Sequence, residues 1–171
     1  MNTNMQKLMK ISGFFKRVVL IASAMMFFFL LYEYVVNDEF HRASSTLFYE
    51  LWLNDSADRS VLLALQFPRL VTLFTGLYWL QRLMGHFQIG EFFGDEAMRC
   101  YLWLIWLKVI DMGLKIVQEL ATAFYHEQFF ELTRFEVDID FNNLSTLMMM
   151  LLIVYLLKAA REIEAENKEF I

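Results

Sequence analysis

Apolar and polar positions alternate in long blocks along this chain. Val18–Val36 is an apolar run broken only by Ser23 and Glu33. Val61–Leu80 carries Pro68 and Arg69, and Met98–Ala121 carries Lys108, Asp111 and Lys115. Leu144–Leu157 is the fourth run, closed by Lys158. About 20 residues at 1.5 Å rise cross roughly 30 Å of hydrocarbon. The pattern predicts an all-α, four-helix transmembrane bundle. Its spans fall near 18–36, 61–82, 98–121 and 142–160, with a tail at 161–171, all in one integral membrane domain covering 1–171. Pro68 removes a helical hydrogen bond, so the second span reads as a long kinked element in preference to one starting at Pro68.

The polar blocks carry shorter signals. Leu47–Leu53 has the pattern of a small amphipathic helix resting on the outer interface. Asn54-Asp55-Ser56 offers cap chemistry for the next helix. Gly85, Gly90 and Gly94 punctuate a middle loop over Gln81–Ala97, and Asp95 and Glu96 suit the first turn after it. Phe135, Val137, Ile139 and Phe141 alternate with Glu136, Asp138 and Asp140, which predicts a short extended segment.

Composition sharpens the class. Apolar residues make up 58% of 171, above the roughly 45–50% of soluble domains. Phe (18) and Met (11) are abundant against Gly (6) and Pro (1), the profile of long helices in lipid. The one cysteine, Cys100, excludes an internal disulfide and any multi-cysteine metal site. The first apolar run is too long for a signal h-region and lacks an A-x-A-like site, so it is expected to remain as a span.

The net charge of −5 is unevenly spread. Lys7, Lys10, Lys16, Arg17, Arg82, Arg99, Lys158, Arg161 and Lys168 fall in segments on one side of the four spans. Arg42, Arg59 and Arg134 fall on the other. Positive residues stay inside, so both termini and the middle loop are expected in the cytoplasm, with the acidic loops outside.

The third run holds the sharpest chemistry. Lys108, Asp111 and Lys115 are three and four residues apart and share one helical face. A charge at mid-span costs roughly 2.5–3.5 kcal/mol even on mild scales, so that face must turn toward protein or water. With antiparallel spans, Glu33, Arg69, Asp111 and Lys115 lie in the outer half of the membrane. Asp111 is expected to pair with Arg69, and Lys115 with Glu33 or Glu119. Lys108 snorkels or meets Ser145 or Thr146. The cluster reads as a structural lock first, and as a pathway for an ion, proton or ligand second. On the inner side, Phe87, Phe92 and Phe93 with the tail residues Ile163, Phe170 and Ile171 make a docking patch, or simply pack together. Histidines His41, His86 and His126 are scattered; His126-Glu127 with Glu131 is a weak metal signal. No nucleotide loop, catalytic triad, metal motif or basic aromatic patch for nucleic acid occurs.

Two stretches carry a family likeness. Gly90-Glu91-Phe92-Phe93-Gly94-Asp95-Glu96-Ala97-Met98-Arg99 fits the pattern G-x-x-F-x-x-E-x-x-[RK], and Val137-Asp138-Ile139-Asp140-Phe141, followed by the fourth span and the close Ala159–Ile171, fits an ending with an E-N-x-x-[FI] tail. The chain resembles a widespread family of small bacterial four-span membrane proteins of unknown function, often encoded beside small helix-turn-helix regulators. The resemblance implies a bacterial inner-membrane location and a soluble helix-turn-helix partner, met by Phe92, Phe93, Arg161, Glu166, Asn167 and Phe170. The expected function is a non-enzymatic membrane adaptor or sensor, without cofactor or metal, self-association being open. The alternative is a small transporter or channel subunit using Arg69, Asp111 and Lys115.

Overall fold

The computed structural model describes residues 3–37, 45–130 and 141–169. The fold is an all-α helical bundle. Its five α-helices among the described residues are α1 (Thr3–Tyr32), α2 (Thr46–Leu53), α3 (Arg59–Gln88), α4 (Asp95–His126) and α5 (Phe141–Glu169). Glu33–Asn37 continues α1 as a π-helical turn. Among the described residues, three stretches are long and apolar enough to cross a membrane: Met5–Val36, Arg59–Gln88 and Asn143–Ala160. At 32 residues α4 is the longest helix, but its charged residues set it apart from those three.

Every long helix outruns its apolar block. The basic head is helical from Thr3, and α3 runs to Gln88, which reduces the expected Gln81–Ala97 loop to the short link before Asp95. The charged tail is helical to Glu169. Hydropathy marks where lipid ends, while a helix continues through any good helix formers beyond it. α3 passes through Pro68, as the long-element reading required. Asp58, not Asn54–Ser56, caps it: Asp58 Oδ1 accepts the Ser60 N–H at 2.8 Å. Asn54 instead turns the preceding link by accepting the Ser56 N–H at 2.9 Å. The extended segment expected at Phe135–Asp140 lies outside the described residues, and Phe141 opens α5.

Two compact units divide the chain. The first contains residues up to Ala22, Thr75–Val109 and the segment with α5. Here α3 and α4 pack antiparallel around Leu83, Ala97 and Cys100. Trp79 stacks on Trp103 at 5.4 Å, and Arg82 reaches Glu96 at 3.4 Å while lying over the Trp79 ring. Arg99 joins the same carboxylate at 3.2 Å. The α3 terminus is closed by paired hydrogen bonds, Glu91 N–H to His86 O and Gly90 N–H to Phe87 O. This end geometry needs a left-handed residue, and Gly90 supplies it at φ 86°. Gly90→Ala should therefore destabilise by about 1–2 kcal/mol, the left-handed cost for a residue with a Cβ. A detergent melting curve checks it; an unchanged midpoint would contradict the cap.

The second unit contains Ser23–Phe74 and Ile110–Ile139. Its core is Phe48, Leu51, Trp52, Ala57 and Leu62, flanked by Leu63, Tyr125, Phe129 and Phe130. The expectation for α2 is corrected here. The helix forms, but Phe48, Leu51 and Trp52 are buried in protein, not spread on a lipid interface. The helices α3 and α4 again run antiparallel: the Asp58 N–H donates to the Tyr125 hydroxyl at 2.9 Å.

Candidate functional site

The second unit gathers most of the charge expected from the sequence to lie between spans. Arg69 Nε lies 3.5 Å from Asp111 Oδ1, the cross-helix pair expected from spacing. Arg69 Nη1 also donates to Gln118 Oε1 at 3.0 Å. One guanidinium therefore bridges two acceptors seven residues apart on α4, which its planar fork of donors permits. Lys115 Nζ stands 3.6 Å from Glu119 Oε1 on its own helix, an i,i+4 pair. The Arg69 and Asp111 side chains retain 29% and 32% exposure, so the pair sits at a margin, neither dry nor fully open. Glu33 is buried at the start of the π-helical turn of α1. Such turns widen the backbone locally and recur at functional positions.

These contacts extend a seam that sequence reasoning read only in part. After Asp111 and Lys115, α4 carries Gln118, Thr122 and His126 at further steps of three and four. All three are buried. The same spacing rule, carried further along the helix, would have found them. It could not have found Glu50, whose Oε2 contacts His126 Nε2 at 2.9 Å across 76 residues of sequence. His126 is almost wholly buried and stacks on Phe130 at 4.2 Å, while Glu50 is exposed. The imidazole thereby ties α4 to α2. Among the described residues no group of three His, Cys, Asp or Glu side chains is placed to hold a metal ion. Glu131 and His41 lie outside the described residues, and His86 pairs with Glu91 at 3.1 Å.

Lys108 belongs to the first unit and donates to Asn143 Oδ1 of α5 at 2.6 Å. The sequence pointed to Ser145 or Thr146; Asn143 is one polar position earlier. Also in the first unit, Phe92 packs on Phe87 with centroids 5.1 Å apart, and Phe87 meets Tyr101 at 5.9 Å. Phe93 is half-buried. Phe92 thus packs on a neighbouring aromatic, the arrangement the sequence left open beside a docking patch. The backbone of Arg161, Glu166 and Asn167 is helical within α5, and Phe170 lies outside the described residues.

No protein-family model, curated protein or solved structure matches the chain. The chemistry must be argued from the arrangement itself. Arg69 pairs with Asp111 across helices, and Lys115 pairs with Glu119 within α4, so each pair is balanced in charge. An ion pair across helices fastens them together where either group alone would be costly to bury.

Proposed function

We propose that this protein is a non-enzymatic membrane adaptor or sensor. Four antiparallel spans would include α4, with both termini on the cytoplasmic face of a bacterial inner membrane. The observation that carries the reading is the continuity of α5. Its apolar stretch Asn143–Ala160 passes without a break into the charged segment ending at Glu169. Nine further residues at 1.5 Å rise carry the helix about 13 Å beyond the apolar stretch. A shift or rotation of the span is then transmitted rigidly to the segment holding Arg161, Glu166 and Asn167. That segment would meet a soluble helix-turn-helix regulator, the partner the family resemblance implies. Placement of Arg82 and Arg99 beside the α3–α4 link supports the orientation, since positive residues stay inside.

The test is capture from native membranes. The full chain should retain a helix-turn-helix regulator, and a chain ending at Ala160 should lose it while inserting normally. Equal capture by both forms would refute the tail as the binding element.

One observation favours transport instead. Glu119 Oε2 is buried and makes no hydrogen bond among the described residues. A free carboxylate oxygen beside Lys115 is where a passing proton or cation would bind, with Arg69 and Asp111 lining the path.

A further inference from the structure

The first unit contains a cleft of about 620 Å³ between the opening turns of α1 and the end of α3. Gln6, Lys10, Gly13 and Arg17 line it from α1, and Gln88 lines it from α3. The α1 residues stand four, three and four apart, a single stripe along the helix. Gly13 makes the room. A Cβ there would lie 3.2 Å from Gln88 Nε2, so the missing side chain is what lets the Gln88 amide lie against α1. The reverse contact occurs one turn on, where Lys16 Nζ lies 3.3 Å from the Cβ position of Gly85. Lys16 is thereby drawn over α3, leaving Lys10 and Arg17 as the cations of the cleft.

Neither Lys10 nor Arg17 has an ion-pair partner among the described residues. The first acidic residue of the chain is Glu33, so the α1 wall carries only positive charge. The wall also has apolar members, Met9 and Phe14. Arg17 immediately precedes the apolar run Val18–Val36, which sets the cleft at headgroup depth. Two cations and two carboxamides suit an oxyanion with several acceptor oxygens. The adjoining apolar side chains suit glycerol and the start of an acyl chain. Basic pockets between membrane helices on the cytoplasmic side bind anionic headgroups, and the volume falls in the usual range of ligand sites, roughly 300–1,000 Å³.

We propose that this cleft binds the phosphate of an anionic phospholipid from the surrounding leaflet, with Lys10 and Arg17 as its paired cations. The site rests on the membrane reading and not on the adaptor reading: lipid retention and regulator capture can be lost independently.

The full chain, purified from mixed phosphatidylglycerol and phosphatidylcholine nanodiscs, is examined by native mass spectrometry for retained lipid. The wild-type chain should keep one phosphatidylglycerol in preference to phosphatidylcholine. Lys10→Gln with Arg17→Gln should weaken retention about thirtyfold, at roughly fivefold per basic side chain. Lys7→Gln, an exposed change outside the cleft, should leave it unchanged. The exchange Lys10→Arg with Arg17→Lys keeps the charge and should keep the lipid, which separates binding from folding. Equal retention of both lipids, or full retention by the double glutamine variant, overturns the proposal. Binding of inorganic phosphate with no lipid retained would make the site one for the free anion and overturns it too.

Discussion

Asp111→Asn is expected to lower the folded yield in detergent and to destabilise the protein by about 3 kcal/mol, since removing one partner of a buried pair typically costs 3–5 kcal/mol and this pair is only partly buried. The substitution removes the anion that lies 3.5 Å from Arg69 Nε. Gln118 remains as the other acceptor at 3.0 Å, but a neutral amide does not offset the guanidinium charge. Arg69→Gln should cost a similar amount by removing the cation beside Asp111. The double change leaves neither charge of the pair, so it should cost clearly less than the sum of the singles, with a coupling of about 1–3 kcal/mol. Strict additivity in denaturation curves would show that the two groups do not depend on one another. The same variants separate the two functional readings. A lock predicts lost stability. A transport pathway predicts a protein that folds and melts normally but loses flux in proteoliposomes.

Helices were the legible part of this sequence, because long apolar runs have few other ways to satisfy their backbone. Arg69–Asp111 was legible too, since Arg69 is the one charge of the run Val61–Leu80 and antiparallel spans bring Asp111 to a similar depth. Contacts that depend on the offset between helices were not. Lys108 meets Asn143, a contact fixed by how far α5 slides along α4. The depth of α2 was hidden for a related reason. Phe48, Leu51 and Trp52 have the same pattern whether they face lipid or protein, and only the tertiary contacts decide between them. His126 looked like any solvated loop histidine because Glu50 lies far away in sequence.

Phe48→Ala should release α2 from the second unit. Phe48 is fully buried, stacked near Trp52 at 6.0 Å, within the cluster that holds Leu51, Ala57 and Leu62. Truncating a buried Phe to Ala typically costs 3–5 kcal/mol. The helix has eight residues, well short of the roughly 12–15 at which an isolated helix becomes even marginal in water. Its structure therefore depends on docking, and the lost energy should appear as local opening before global unfolding. Amides of Thr46–Leu53 should exchange hydrogen at rates approaching those of an unfolded segment, while the centres of α3 and α4 stay protected. The His126–Glu50 contact should break with it, since Glu50 is carried on α2. Leu53→Ala, at the exposed end of the same helix, should change stability by no more than about 0.5 kcal/mol. The lipid environment gives the sharper discrimination. A helix held by protein opens equally in detergent and in nanodiscs when Phe48 is cut back. A helix held by the membrane surface would keep its protection in nanodiscs, and that result would mean that the aromatic core of the second unit does not hold α2.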